Sequence, residues 1–227
     1  MLIEETIEFV KRELENAESG HDWWHTYRVY NLSKAIGKEE NVDLEIVELG
    51  ALLHDVADRK FHNGDHTVGP RKAKEFLSGK LSEDKIEHVI KIIENISFSS
   101  EQNAQKASLF GTTQTQSVCH GFKSKELDVV QDADRLDAIG AMGIARCFTY
   151  TGHTNREIHN PEIKPKLNMS KEEYKKNKGT AINHFYEKLL LLKNKMNTEM
   201  GKKMAIKRHE FMEVYLKEFY KEWEGEI

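Results

Sequence analysis

The stretch LEIVELGALLHDV, residues 44–56, decides the fold. Leu44, Ile46, Val47, Leu49, Ala51, Leu52, Leu53 and Val56 leave little polar surface on any side. A helix that is apolar around most of its circumference is a central, buried one. Asp43, immediately before it, has the short oxygen-bearing side chain that caps a helix N-terminus. The run then ends on His54-Asp55. An imidazole and a carboxylate at the end of a core helix cost several kcal/mol, roughly, unless each is paired or holds a metal. At a helix end the backbone turns, so two adjacent side chains can face one point. His54-Asp55 therefore reads as a two-ligand corner.

Outward from this centre the periodicity stays helical. Ile3, Ile7, Val10 and Leu14 mark a first helix. Gly20 separates it from a second, expected from about Asp22 to about Glu40, with Val29, Leu32, Ala35 and Ile36 on one face. Asp58 to Gly69 reads as loop, with Pro70 where the next helix starts. Ser82 caps a helix through Ile86, Val89, Ile90, Ile93 and Ile96. Ser97 to Lys125 is rich in Ser, Gln, Thr and Gly and reads as a long loop or insertion. One helix is expected from about Glu126 to about Phe148, then a loop over Thr151 to Asn168. Ser170 and Glu173 fit a capping box. The last stretch splits near Met196 to Gly201. Its first helix carries Ile182, Phe185, Leu189 and Leu192. Its second carries Ile206, Phe211, Val214, Leu216 and Phe219. Met196, Met200, Met204 and Met212 read as core, and Trp23 and Trp24 as packing. No run alternates with a period of two, so the fold class is all-α.

Composition narrows the function. The chain has 227 residues, enough for a substantial core, and only three prolines to interrupt long helices. Its net charge of -4 excludes the basic excess of a dedicated nucleic-acid binder. No signal peptide or membrane-spanning run is present, so the expected location is the cytoplasm. Cys119 and Cys147 form no metal or disulfide framework and read as incidental thiols.

Two further clusters bear on chemistry. His21-Asp22-Trp23-Trp24-His25 places two imidazoles four residues apart, hence on one face if one helix includes both. Asp132-Ala133-Asp134-Arg135-Leu136-Asp137 places Asp134 and Asp137 on one helix face and Asp132 elsewhere. Three clusters on three helices can meet only in a bundle, where metal sites are built from facing helices. Two imidazoles plus two carboxylates, with no thiolate, argue against structural zinc. They suit an octahedral ion with open water positions: manganese, iron, cobalt, nickel or magnesium.

The order His25…His54-Asp55…Asp134 resembles the HD superfamily signature, H…HD…D. The surrounding blocks HDWWHTYRVY (21–30), ALLHDVADRKFHNGD (51–65), VQDADRLDAIGAMGIAR (130–146) and KNKGTAINHFYEKLL (176–190), with RHEFM (208–212), are similar to a bacterial subgroup of HD hydrolases related to nucleoside-triphosphate pyrophosphohydrolases. The resemblance implies an HD-domain helical bundle over residues 1–227, with its core at about 20–150 and additional C-terminal helices at about 170–225 packing on it. It implies metal ligands His25, His54, Asp55 and Asp134, favouring Asp134 over Asp132. It implies a metal-dependent phosphohydrolase of small phosphorylated substrates, nucleotides first, with manganese as the expected ion and a homodimer as a candidate assembly. Asp58, one turn past Asp55, is the candidate base. His21 and Arg28 are candidates to assist catalysis. Lys60, His62, His66, Arg135, Lys178, Asn183 and His184 are candidate substrate contacts. Lys164 to Lys178 carries six lysines against two acids and could form the lip of a polyphosphate site. His153 and His159 read as surface histidines. Asn95, in IIENISF, stands where a further histidine is expected, which argues against a second metal. The alternatives are a nucleotide or metal sensor with negligible turnover, and a di-iron oxygenase.

Overall fold

The computed structural model describes residues 1–15, 17, 20–56, 65, 67–96 and 122–226. No strand occurs among them. The helices are α1 (Leu2–Glu13), α2 (Trp23–Gly37), α3 (Leu44–Leu53), α4 (Val68–Leu77), α5 (Glu83–Asn95), α6 (Lys125–Asp137), α7 (Gly140–His153), α8 (Lys171–Lys176), α9 (Ala181–Glu187) and α10 (Glu199–Glu224), with a 3₁₀ segment at Leu189–Lys195. The chain divides into two compact units, Met1–Ala133 and Asp134–Ile227.

In the first unit α3 is the central helix, packed by α1, α2 and α5. Asp43 caps it as its sequence predicts, its side chain accepting from the amides of Glu45 and Ile46 at 3.0 and 3.4 Å. Leu49, Ala51, Leu52 and Leu53 have no exposed surface. Gly50 lets α5 come close: a Cβ there would lie 3.1 Å from Ile92 Cγ2. Burial on this scale makes the helix sensitive to lost volume. Leu52→Ala is expected to destabilise the protein by about 2–5 kcal/mol, from lost transfer energy plus the cavity. Urea unfolding followed by circular dichroism checks this.

The second unit packs α10 on α7 and on the 3₁₀ segment, and α9 on both of these. Phe185 and Met212 are fully buried in it. Three sequence expectations change here. The helix expected from Glu126 to Phe148 is two helices. Ile139 is extended and Gly140 adopts φ 75, a left-handed conformation that favours glycine, so the chain turns between α6 and α7. The loop expected from Thr151 starts later, because α7 runs to His153. On α10, Ile206, Phe211 and Val214 are exposed while Ala205, His209, Met212 and Leu216 face inward. Ser170 and Glu173 do form the expected capping box. Trp24 is exposed rather than packed, whereas half-buried Trp23 lies under the Lys11 ammonium. Among the described residues no helix is long and apolar enough to cross a membrane.

Candidate metal centre

The site in the first unit is assembled by two helix ends. Asp22 caps α2 by accepting from the His25 amide at 2.8 Å, which sets His25 in the first turn with its side chain inward. His25 is 1% exposed. α3 ends at Leu53, and His54 serves as its C-cap with Asp55 in the turn beyond. The apolar circumference of α3 carries these two polar residues into the interior.

Three atoms converge. His54 Nε2 lies 3.3 Å from His25 Nε2 and 3.4 Å from Asp55 Oδ2, and His25 Nε2 lies 3.5 Å from the same oxygen. A divalent ion with bonds near 2.1 Å holds neighbouring ligand atoms about 3.0–3.4 Å apart. The triangle therefore fits one ion. The tautomer of His54 fits as well. Its Nδ1 donates to the Ala51 carbonyl at 2.8 Å, so the proton is there and Nε2 presents its lone pair to the centre. His21, in the bend before α2, adds a fourth group: its Nδ1 lies 2.8 Å from Asp55 Oδ2. Burial alone pushes the Asp55 carboxyl up, but the His54 and His21 imidazoles outweigh it and hold the group well below the usual carboxylate range. Asp55 is thus an ionised, 15% exposed carboxylate among imidazoles. His21, His25 and Asp55 also form a set with the spacing of metal ligands.

The remaining sequence candidates are placed as follows. Arg28 is half-buried on α2, one turn beyond His25. Asp58, Lys60, His62 and His66 lie outside the described residues, as do Cys119 and most of the Ser97 to Lys125 stretch. On α6, Asp132 is fully buried and Asp134 half-buried. Asp137 is buried and paired with Arg146. Asn95 turns its amide back to the Lys91 carbonyl of its own helix at 2.8 Å.

In the second unit Arg135 donates to the Lys195 carbonyl at 2.5 Å and so ties the end of the 3₁₀ segment. Lys178 is exposed. Asn183 is buried, and its amide donates to the Ile163 carbonyl at 2.8 Å. His184 Nδ1 and the Tyr174 hydroxyl share a hydrogen bond of 3.0 Å, a pairing that the sequence did not suggest. Burial, with Lys188 and Arg156 nearby, pushes the His184 pKa down to about 4. Cys147 is buried, its thiol pushed up to about 11 by burial, as suits an unreactive core residue. His159 is half-buried rather than a free surface histidine, its ring edge-on to Phe219, Tyr220 and Trp223.

His184 gives an acid-stability prediction. Its pKa is lower folded than unfolded, so the unfolded chain takes up the proton first as pH falls. The neutral ring's contribution is complete above about pH 6.5, is lost progressively as pH falls toward about 4, and changes no further below that. The loss amounts to roughly 3 kcal/mol. His184→Asn removes this titration. The stability gap between wild type and variant should therefore narrow across that window, read from thermal unfolding at a series of pH values.

Comparisons with known proteins show the family. The HD domain family matches residues 23–139. Bacillus subtilis YpgQ, an uncharacterised protein, is 33% identical over 217 residues, covering 96% of this chain and 91% of YpgQ. Among solved structures, an HD-superfamily hydrolase of Bacillus thuringiensis superposes with a TM-score of 0.73 at 38% identity, over 98% of this chain and 96% of that one. YpgQ in complex with ADP superposes with a TM-score of 0.68 at 31% identity, over 97% and 94%. The converging histidines and aspartate lie within or beside the matched region, and the chain belongs to the HD domain family.

Proposed function

We propose that this chain is a metal-dependent phosphohydrolase acting on nucleotides, with manganese as its ion and nucleoside triphosphates as the first substrates to test. The observation that carries the reading is the convergence of His25 Nε2, His54 Nε2 and Asp55 Oδ2 within 3.5 Å. A solved relative named as an HD-superfamily hydrolase supports hydrolysis. The ADP bound to YpgQ supports a nucleotide. The resemblance to the HD signature implies Asp134 as a further ligand.

A divalent ion in such a centre supplies a water of lowered pKa and polarises a phosphoryl oxygen. The protein's own residues do the rest. His25 and His54 offer neutral nitrogen donors, and Asp55 offers the negative charge that favours a cation. Asp58 is proposed as the base that orients the attacking water and takes its proton. Arg28, Lys60, His62 and His66 are proposed to face phosphate oxygens, where charge-assisted hydrogen bonds fix the group for attack. Attack at the α-phosphorus breaks the bond to the bridging oxygen and gives a monophosphate and pyrophosphate.

A matrix of divalent metals against nucleoside mono-, di- and triphosphates tests this, with phosphate and pyrophosphate measured separately. The expected result is manganese- or cobalt-stimulated pyrophosphate release from a triphosphate. Metal-loaded protein that leaves the whole panel intact overturns the enzyme reading. Tight nucleotide binding without product would then favour a sensor.

A further inference from the structure

We propose that His21 is the positioning residue of this centre: its imidazole holds the Asp55 carboxylate in the ligand triangle and thereby sets the affinity of the site for a divalent ion. The proposal rests on the metal-dependent reading above and assigns the residue that pre-shapes the site.

Geometry separates His21 from the ligands. His21 Nδ1 lies 2.8 Å from Asp55 Oδ2, whereas the three converging atoms stand 3.3 to 3.5 Å apart. The shorter spacing is that of a hydrogen bond; two ligands of one ion sit about 3.0 Å apart or more. An ionised carboxylate only accepts, so the proton of this contact is on His21 Nδ1. Nδ1, protonated, has no lone pair to give a metal, so the nitrogen that faces Asp55 is not a ligand. Position agrees with this. The His21 side chain is 32% exposed, against 1% for His25 and 3% for His54, so it stands at the rim while they stand inside. Its ring meets the His25 ring edge-on, with centroids 5.8 Å apart.

Asp55 needs such a partner. It stands two residues past the end of α3 in a turn, where helix geometry no longer dictates where the carboxylate points. The His21 bond supplies that direction from the chain segment that leads into α2 and His25. It thus ties the two helix ends together at the oxygen they share with the centre. A hydrogen bond to a ligand oxygen also draws electron density from it, which leaves a bound ion more acidic. Outer partners of this kind typically govern 10–100-fold in metal affinity.

The test uses the full-length protein as wild type, His21→Leu, His21→Gln and His21→Asn, with His54→Ala as a ligand-loss reference. Manganese binding is titrated by the EPR signal of the free ion, and imidazole nitrogens coupled to the bound ion are counted by pulsed EPR. Asn places an amide N–H near where Nδ1–H stands; Gln places it farther out; Leu removes it. The expected result is a 10–100-fold weaker site in His21→Leu and His21→Gln, most of the affinity regained in His21→Asn, and an unchanged imidazole count throughout. Affinity in both Leu and Gln variants within about threefold of wild type overturns the proposal. So does the loss of one coupled imidazole, which would make His21 a ligand. Wild-type protein that binds manganese no better than His54→Ala overturns the metal reading itself, a result distinct from either.

Discussion

Asp55→Ala is expected to abolish metal-dependent hydrolysis while leaving a folded protein. Asp55 Oδ2 faces all three imidazoles of the centre, lying 2.8 Å from His21, 3.4 Å from His54 and 3.5 Å from His25. Truncation removes the carboxylate that stands among the imidazoles and halves the negative charge of the proposed ligand set, which suits a divalent oxygen-preferring ion poorly. The loss of turnover should go well beyond the 10–100-fold typical of losing only an outer partner of a ligand. Stability should change far less than for Leu52→Ala, because Asp55 lies beyond the end of α3 rather than in its packed length. Single-turnover assays at saturating manganese check the first expectation, and circular dichroism the second. A variant that retains a third or more of wild-type turnover would remove Asp55 from the chemistry.

Chelation is expected to have the other large effect, and on two observables together. An ion that binds only the folded chain stabilises it by about 2.7 kcal/mol at a free concentration one hundred times its dissociation constant. For a protein of this size that corresponds to roughly 5–10 °C in Tm. Removing metal with a chelator should lower Tm by that amount and eliminate hydrolysis, and manganese added back should restore both. The cause is specific to the triangle. His54 is locked by Ala51 with its lone pair toward the centre, so a cation there meets an electron-pair donor already turned to it. His54→Ala should show no manganese-dependent rise in Tm. A chelated wild type with unchanged Tm and undiminished activity would contradict the account.

The centre was legible in the sequence because two polar residues interrupt an otherwise apolar helix. An imidazole and a carboxylate at the end of Leu44–Leu53 call for partners or a ligand. His25 was legible through its spacing of four from His21 and its place at the start of a helical pattern, together with the resemblance. What fixes the His54 tautomer was not legible, since it is the backbone carbonyl of Ala51 rather than a side chain. Nor was the partner of His184. Tyr174 is ten residues upstream, across the turn between α8 and α9, and only the fold brings its hydroxyl to the ring. The break between α6 and α7 was hidden for a different reason. Ala138 to Arg146 keeps helical apolar spacing, and Gly140 in such a pattern reads as a tolerated helix residue until its left-handed φ is seen. α10 was read correctly as a helix, but its apolar residues fall on more than one face. Periodicity alone did not separate buried Met212 and Leu216 from exposed Ile206, Phe211 and Val214.

The most direct measurement is an anomalous difference map from crystals of the full-length protein grown with manganese. One strong peak should stand about 2.1–2.3 Å from His25 Nε2, His54 Nε2 and Asp55 Oδ2 at once, with the His21 ring outside bonding distance of it. An empty triangle in crystals that bind manganese elsewhere, or a peak that leaves either imidazole out of its coordination sphere, would contradict the account.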